Sequence, residues 1–157
     1  MKTTKIEWTD KTWNPITGCT KVSAGCMNCY AEVMSIRLKA MGIDKYKHGF
    51  NLTLHEECLS EPLKWVKPHI IFVCSMSDIF HEKVPFDFVD KILDVIRQTP
   101  QHNYQILTKR AKRMNEYFTK NDIPKNVWLG VTVDITTSKE RIDSIRELNA
   151  SIKFLSC

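Results

Sequence analysis

The distribution of apolar and polar residues along the chain predicts buried strands that alternate with helices. Short, continuous apolar runs are typical of strands that are covered on both faces. Such runs follow a first extended segment around Thr12–Asn14, and they occupy His69–Cys74, Tyr104–Leu107, Val127–Val133 and Ile152–Leu155. The pattern therefore predicts about five strands, counting the first extended segment.

Helical periodicity fills the segments between these strands. Apolar residues three and four positions apart fall on one face of a helix. This spacing occurs in Pro85–Gln98, in Arg110–Phe118 and in a segment that begins with a capping box at Thr137–Glu140. The residues that we expect to face the core are Phe88, Ile92, Val95, Ile96, Ile142, Ile145 and Leu148.

A further helix is expected over Tyr30–Met41, ahead of the strand at His69–Cys74. Gly42 suits the position just after a helix C-terminus. The apolar stripe of this helix has spacings of four, four and three, and it consists of Tyr30, Met34, Leu38 and Met41. We expect the stripe to face the core.

Strands that alternate with helices predict an α/β fold with a parallel sheet and right-handed crossovers. The length suits a single domain over residues 1–157. In such folds, ligands bind beyond the carboxyl ends of the strands. The polar residues at these positions are Ser75, Ser77, Asp78, Thr108, Lys109, Arg110, Thr132, Asp134 and Ser156. The alternative is that these residues only cap the helices that follow.

Composition and charge exclude only a few classes of protein. Apolar residues make up 43% of the chain and charged residues 26%, as in ordinary globular domains. The sequence shows neither an apolar run long enough to span a bilayer nor a secretory signal. We therefore expect a cytoplasmic protein with reduced thiols and no membrane partner. The net charge of +5 allows a polyanionic partner such as nucleic acid but does not require one.

Three cysteines in the loop 18–30 are the strongest chemical signal in the chain. Cys19, Cys26 and Cys29 have the spacing Cys-x6-Cys-x2-Cys, and no fourth cysteine follows nearby. A structural zinc site usually has four protein ligands, and so does a 4Fe–4S cluster. Three thiols therefore predict a metal site with one coordination position open to another ligand.

Residue chemistry leaves three interpretations of these cysteines open. The first is a zinc site in which Cys26 and Cys29 form one half. The second is that the cysteines are small buried apolar residues, although a loop with lysine, serine and glycine suits that role poorly. The third is a 4Fe–4S cluster with three cysteine ligands and one open iron. The histidines that could complete a zinc site are His48, His55 and His81.

The segment Thr108–Arg113 places four cations at the start of a helix. The helix dipole disfavours positive charge at that end, so a bound anion would explain the arrangement. We expect Lys109 and Arg110 to bind a carboxylate or a substrate phosphate. The alternative is a solvated basic helix face.

The cysteine loop lies after a first strand and has an aromatic residue beside the last cysteine. This arrangement resembles the radical S-adenosylmethionine (SAM) superfamily, whose commonest spacing is Cys-x3-Cys-x2-Cys rather than the wider first interval here. The chain more closely resembles a phage and prophage family of unknown function, the three-Cys-motif radical-SAM-like proteins. The blocks that carry this resemblance are Lys5–Asp10, Thr12–Pro15, Gly18–Glu32, Ser75–His81, Leu107–Arg110, Trp128–Val133 and Lys153–Ser156.

The resemblance implies a partial (βα) barrel of the radical SAM type with helices on the outside. Members of the family are longer, so we expect a truncated form that lacks the family's C-terminal part. A dimer contact or a partner subunit would then cover the open barrel edge. The resemblance also implies that Cys19, Cys26 and Cys29 hold a 4Fe–4S cluster whose fourth iron binds SAM. Reductive cleavage of SAM would yield a radical that abstracts hydrogen from an unknown substrate, with nucleic acid or a nucleotide favoured.

The same resemblance implies a set of SAM-binding residues, although Tyr30 has the alternative role of starting the helix stripe. These residues are Tyr30, Ser75, Ser77, Asp78, Thr132 and Asp134. Nothing in the sequence marks a general base. The competing function is a zinc-binding module that binds nucleic acid or a protein partner without catalysis.

Overall fold

The computed structural model describes residues 4–134 and 139–157. The strands are β1 (Lys11–Trp13), β2 (Ile16–Thr17), β3 (Thr53–Leu54), β4 (Ile70–Val73), β5 (Asn103–Thr108), β6 (Val127–Thr132) and β7 (Ile152–Ser156). The α-helices are α1 (Tyr30–Ala40), α2 (Phe86–Gln98), α3 (Ala111–Phe118) and α4 (Glu140–Arg146). Short 3₁₀ helices occupy Ala24–Cys26, Asp44–Tyr46, Glu56–Cys58 and Glu61–Lys64.

The main sheet consists of five parallel strands in the order β1-β4-β5-β6-β7. Strands β2 and β3 form a separate antiparallel pair. The expected α/β fold with a five-stranded parallel sheet is therefore confirmed. Because the strand order follows the chain, every crossover moves in the same direction across the sheet. Right-handed crossovers then place the connecting helices on one face.

The helices α2, α3 and α4 cover that face of the sheet. The core residues of β4, β5 and β6 form two rows across the sheet, Ile71, Tyr104 and Val127 in one row and Val73, Ile106 and Leu129 in the other. The residues of α2 that were expected to face inward all belong to the same core, namely Phe88, Ile92, Val95 and Ile96. The residues that helix periodicity places inward therefore meet those that strand alternation places inward, in one core between the helices and the sheet.

The opposite face of the sheet is only partly covered. Trp8 packs against Phe72 there, with ring centroids 4.8 Å apart. Next to them lies a cavity of about 330 Å³, bordered by Leu107, Trp128 and Phe154. Among the described residues, this face therefore presents apolar side chains that α2, α3 and α4 do not cover.

Helix α1 does not follow the predicted stripe. Its buried residues are Ala31 and Ser35, and Ala31 packs in a small cluster with Tyr46 and Met76. Of the stripe, only Leu38 is partly buried, and the exposed residues are Tyr30, Met34 and Met41. The predicted orientation was wrong because α1 packs through small side chains against neighbouring loops, not through large ones against the sheet.

The predicted capping box lies partly outside the described residues, because Thr137 and Ser138 are not among them. Helix α4 begins at Glu140. Of the three residues expected to face the core, Ile145 and Leu148 are buried and Ile142 is only half-buried. In the described parts of the chain, no helix is long and apolar enough to cross a membrane.

Candidate functional site

The chain turns sharply where β4 ends. Cys74 has a left-handed backbone with a φ of 57°, which is uncommon for a residue other than glycine. Asn14, just after β1, accepts two hydrogen bonds at Oδ1, from the Ser75 hydroxyl (3.1 Å) and the Met76 amide (3.2 Å). These bonds hold the segment that follows β4 against the end of β1.

The cysteine loop is attached to this turn at its first residue. Gly18 and Ser77 form a parallel bridge, and the Gly18 amide donates to the Met76 carbonyl at 3.0 Å. Gly18 has a φ of 79°, and an added Cβ would lie 2.3 Å from the Asn51 carbonyl oxygen. Because only glycine fits there, this residue determines where the loop leaves β2.

A cavity of about 360 Å³ lies between the cysteine loop and the carboxyl edge of the sheet. Small-molecule sites commonly have volumes of roughly 300–1,000 Å³. Phe50, Phe72 and Leu107 form the apolar part of its wall. The predicted site residues that line it are Cys19, Cys26, Cys29, Tyr30, Ser75, Ser77, Asp78, Lys109, Arg110 and Thr132. The cavity thus brings together the loop and the segments that follow β4, β5 and β6.

Asp78 is a buried anchor. Its carboxylate accepts hydrogen bonds from the Thr108 hydroxyl (2.7 and 2.9 Å), the Lys109 amide (3.1 Å) and the Phe80 amide (3.0 Å). The guanidinium of Arg110 lies 3.3 Å from the same carboxylate. Asp78 therefore joins the segment after β4 to the segment after β5.

Arg110 connects that anchor to the cysteine loop. Its Nε donates to Glu82 at 2.9 Å, its Nη1 lies 3.5 Å from the Cys19 sulfur, and its Nη2 donates to both oxygens of Thr20 at 3.1 Å. Burial opposes the positive charge, but the carboxylates of Asp78 and Glu82 outweigh it and raise the pKa of Arg110. The guanidinium thus makes its contacts inside the protein, where it positions the loop.

His81 holds the same stretch of the loop from another side. Its Nδ1 accepts a hydrogen bond from the Lys83 amide at 3.1 Å, which places the ring proton on Nε2. Nε2 then donates to the Thr20 hydroxyl at 2.9 Å. Burial and the nearby charge of Arg110 lower the pKa of His81. A neutral His81 therefore helps to fix Thr20 and, with it, the adjacent Cys19.

A second ion pair binds the other half of the loop. Lys109 Nζ lies 2.6 Å from Asp134 Oδ2 and 3.7 Å from the Cys26 sulfur. The Ser23 hydroxyl donates to the same Asp134 oxygen at 3.1 Å. Burial opposes ionisation of Asp134, but Lys109 and Ser23 outweigh it and hold its pKa at about 2. Gly25 lies so close that an added Cβ would be 2.0 Å from this carboxylate. Asp134 thus acts on the site through Lys109 and the loop.

The two thiols nearest to these cations differ in acidity. Burial raises the pKa of Cys19, and Arg110 offsets the effect only in part. Burial acts in the same direction on Cys26, but backbone hydrogen bonds, the Ser23 hydroxyl and the charge of Lys109 outweigh it and lower its pKa. Cys26 therefore forms the thiolate that binds metal ions more readily than Cys19 does.

Tyr30 stands at the rim of the cavity. Its hydroxyl donates to the Ser75 carbonyl at 2.6 Å, which connects the start of α1 to the turn after β4. Burial of the hydroxyl raises its pKa, so the group stays protonated as a donor. The residue as a whole is 54% exposed, so it borders the cavity and does not belong to the core.

The structure does not gather the cysteines into a preformed metal site. Cys19, Cys26 and Cys29 are partly exposed free thiols. Within residues 4–134 and 139–157, no three His, Cys, Asp or Glu side chains form a group that could hold a metal ion. The donors nevertheless have the number and type required for three thiolate bonds and one open position.

Sequence reasoning missed the residues that support the loop. Thr20, Ser23 and Gly25 belong to the loop itself, and His81 and Glu82 follow the segment after β4. The sequence marked His81 only as a candidate zinc ligand, and the only signal for the others was their closeness in sequence to the cysteines and to the polar residues of that segment. Nothing marked the partners, because the Thr20–His81 and Ser23–Asp134 contacts join residues 61 and 111 positions apart.

The fold and the cavity define an α/β protein with a ligand-sized site at the carboxyl edge of a parallel sheet, bordered by three thiols. The model of a family described as "Protein of unknown function (DUF5131)" matches residues 3–157. Because the match covers nearly the whole chain, the chain belongs to this family. No curated protein and no solved structure matches it.

Proposed function

We propose that this protein is an iron–sulfur protein of the radical SAM type. Cys19, Cys26 and Cys29 would hold a 4Fe–4S cluster, and SAM would bind in the adjacent cavity. The observation that carries the proposal is that all three thiols border one cavity, at the edge where parallel α/β sheets bind ligands. The reaction would be reductive cleavage of SAM and hydrogen abstraction from a substrate, with nucleic acid or a nucleotide as the candidate class.

The strand order supports a partial barrel. Each parallel strand of the main sheet lies beside the preceding one, and the helices α2, α3 and α4 share one core on one face. A closed (βα) barrel is built by the same rule. The uncovered apolar face would then be the inner wall of the barrel, and the cysteine cavity would lie at its mouth.

When bound, the cluster would supply the electron for SAM cleavage, since cofactors carry the difficult chemistry in such enzymes. The protein's part is to hold three thiolates in place. Arg110 and Lys109 lie 3.5 and 3.7 Å from the sulfur atoms of Cys19 and Cys26, and each positive charge favours a thiolate. We therefore assign these cations to the cysteine loop ahead of a substrate phosphate.

The cavity would offer SAM both polar and apolar contacts. Ser75, Ser77 and Thr132 border it. The Ser75 and Ser77 hydroxyls already donate to Asn14 and to the Gly18 carbonyl. They would therefore accept hydrogen bonds from the amino or ribose groups, while the Thr132 hydroxyl would bind the carboxylate. Phe50 and Phe72 form an apolar wall that suits the adenine ring.

The other residues implied for SAM binding would act at the edge of this cavity or behind it. Tyr30 stands at the rim and would pack against the ligand with its exposed ring. Asp78 and Asp134 already bind Arg110 and Lys109. They would therefore serve as positioning residues for the two cations.

We also propose that a second copy of the chain or another subunit covers β7. This strand lies at the end of the described sheet, and its residues Ile152 and Leu155 are 43% and 47% exposed. Uncovered edge strands readily pair with other chains. Light scattering on the purified protein tests for the second copy: wild type should form a dimer that Ile152→Lys with Leu155→Lys dissociates. A monomeric wild type would exclude it.

Metal analysis after anaerobic reconstitution tests the cluster. Wild type should turn brown and contain about four irons per chain, and Cys19→Ala, Cys26→Ala and Cys29→Ala should each lose most of that iron. Cys157→Ala changes an exposed cysteine outside the loop and should retain it. A colourless protein with one tightly bound zinc would overturn the proposal and favour a zinc module that binds nucleic acid or a protein partner.

A further inference from the structure

A second cavity lies apart from the cysteine loop. Its volume is about 490 Å³, and it is bordered by the 3₁₀ helices Asp44–Tyr46 and Glu56–Cys58 and by strand β3 between them. Lys47, His48 and Glu57 stand exposed at its border, so small solutes can enter it from the solvent. The proposed SAM site uses none of the residues that line this cavity.

Lys45 and Cys58 are in direct contact in this cavity. The distance from Lys45 Nζ to Cys58 Sγ is 3.2 Å, which is shorter than the 3.5 and 3.7 Å cation–sulfur distances at the cysteine loop. The indole N–H of Trp13 donates to the Cys58 carbonyl at 2.8 Å. Because this bond is buried, it fixes the backbone that presents the sulfur to the amine.

The surroundings of Cys58 determine how much of its thiol is ionised. Burial raises its pKa, Lys45 acts in the opposite direction, and Glu61 adds to the increase. The thiolate is therefore a minor form, and Lys45 is the group that stabilises it. Thiolates, not thiols, attack peroxides and disulfides.

We propose that Lys45 and Cys58 form a site of covalent cross-linking by hydrogen peroxide. The Cys58 thiolate attacks one peroxide oxygen, the O–O bond breaks and hydroxide leaves, so that the sulfur loses two electrons and becomes a sulfenic acid. The hydroxide takes a proton from the Lys45 ammonium. The neutral amine then attacks the sulfenic sulfur, a sulfur–nitrogen bond forms, and the hydroxyl leaves as water with a second amine proton. One peroxide is consumed and two waters are released.

The cross-link closes a stretch of chain that touches the cysteine site. This stretch includes Phe50, which lines the cysteine cavity and whose carbonyl accepts a hydrogen bond from the Cys19 amide at 3.2 Å. A covalent link between Lys45 and Cys58 restricts the unfolded chain in the way a disulfide does. Oxidation therefore raises the thermal midpoint of unfolding, and a thiol that opens the sulfur–nitrogen bond returns it to its starting value.

Peptide mapping by mass spectrometry of the full chain after peroxide treatment tests this proposal. The expected product joins Lys45 to Cys58 with the loss of two hydrogens, and dithiothreitol removes it. Lys45→Arg keeps the charge but abolishes the cross-link, and Cys58 then gains oxygen atoms instead. Lys47→Arg changes another lysine of the same cavity and leaves the cross-link unchanged.

Two results would overturn the proposal. Wild-type Cys58 that is oxidised to sulfinic acid without a linked peptide would show that the amine does not capture the sulfenic acid. A linked peptide that retains an oxygen atom and that dithiothreitol opens would show that an oxygen lies between the sulfur and the nitrogen. Both results are independent of iron binding, because Cys58 lies outside the cysteine loop.

Discussion

Individual side chains hold the cysteine loop against the edge of the sheet. Arg110 contacts Cys19 and Thr20 in the loop while it pairs with Asp78 and Glu82. A planar guanidinium can make these contacts at once, in a fork that the single ammonium of lysine cannot reproduce. Arg110 is therefore the residue at which stability and site geometry are most closely linked.

Replacing Arg110 by lysine should release the first half of the loop. Lysine keeps a charge near Asp78 but loses the contacts with Glu82 and Thr20, so the free energy of unfolding should fall by about 2 kcal/mol. Iron bound after reconstitution should fall as well. Urea unfolding and iron analysis measure the two effects. Lys112→Arg, at an exposed position near the start of α3, should change stability by less than about 0.5 kcal/mol. If Arg110→Lys keeps the wild-type free energy of unfolding and the wild-type iron content, Arg110 does not hold the loop in this way.

Asp134 should make part of the stability depend on acid pH. Its pKa in the folded protein is about 2, below the value near 3.9 of an aspartate in an unfolded chain. The stabilisation is therefore complete above about pH 4 and is lost as the pH falls toward about 2. Asp134→Asn should lower the free energy of unfolding at neutral pH by about 1 kcal/mol. It should also flatten the decrease between those two pH values.

Urea unfolding across this pH range measures the contribution of Asp134. Asp143→Asn is the matched control, because Asp143 pairs with Arg146 at 3.2 Å on an exposed surface. Exposed pairs of this kind contribute little to stability, so Asp143→Asn should lower the free energy of unfolding by less than Asp134→Asn does. An Asp134→Asn profile that runs parallel to wild type would contradict the assignment.

At the scale of helices and strands, hydrophobic periodicity predicted the buried face correctly for a helix that packs on the sheet. The prediction of a helix over Pro85–Gln98 matches α2, and its apolar face is buried as expected. The same method placed α1 correctly along the chain but assigned its buried face wrongly. Periodicity shows which residues are apolar, but it does not show which surface a helix meets. That second property depends on how the loops fold.

The connection from β2 into the cysteine loop should depend on Gly18. Gly18 and Gly42 have similar φ values of 79° and 74°, so alanine meets a comparable backbone strain of about 1 kcal/mol at each. A Cβ at Gly18 would lie 2.3 Å from the Asn51 oxygen, whereas at Gly42 it would meet no described atom within 4 Å. Gly18→Ala should therefore cost about 3 kcal/mol and Gly42→Ala only about 1 kcal/mol.

Urea unfolding of both glycine variants separates the two effects. Because the backbone strain is common to both, the difference between them reports the clash with the Asn51 carbonyl. Equal losses of stability would show that the loop can move away from Asn51, and that the backbone does not fix the start of the cysteine loop.

At the scale of the whole molecule, the sequence alone was enough to predict the α/β class, the parallel sheet and the edge where polar residues gather. Strand burial and helix periodicity are local properties, so they are visible in the chain itself. The contacts by which Lys109 and Arg110 hold the cysteine loop were not predictable, because the sequence suggested that these two cations are free to bind an anion. Their pairing with Asp134 and Asp78 depends on the order in which β4, β5 and β6 lie side by side.

In the whole molecule, two adjacent cations hold the cysteine loop against the carboxyl edge of the sheet. The segment after β5 supplies both Lys109 and Arg110, and each contacts a different cysteine of the loop. If the loop binds a cluster, replacing either Lys109 or Arg110 should reduce cluster occupancy, although neither residue is a ligand. The carboxyl edge of the sheet would in that case act as a rigid support for the metal site.

Reductive cleavage of SAM tests the central claim most directly. Reconstituted wild-type protein, incubated with SAM and dithionite without oxygen, should form 5′-deoxyadenosine. Cys29→Ala should form none, and Cys157→Ala should form as much as wild type. Equal formation by wild type and Cys29→Ala would show that the loop does not hold the active cluster. No formation by wild type that carries about four irons per chain would contradict the SAM chemistry itself.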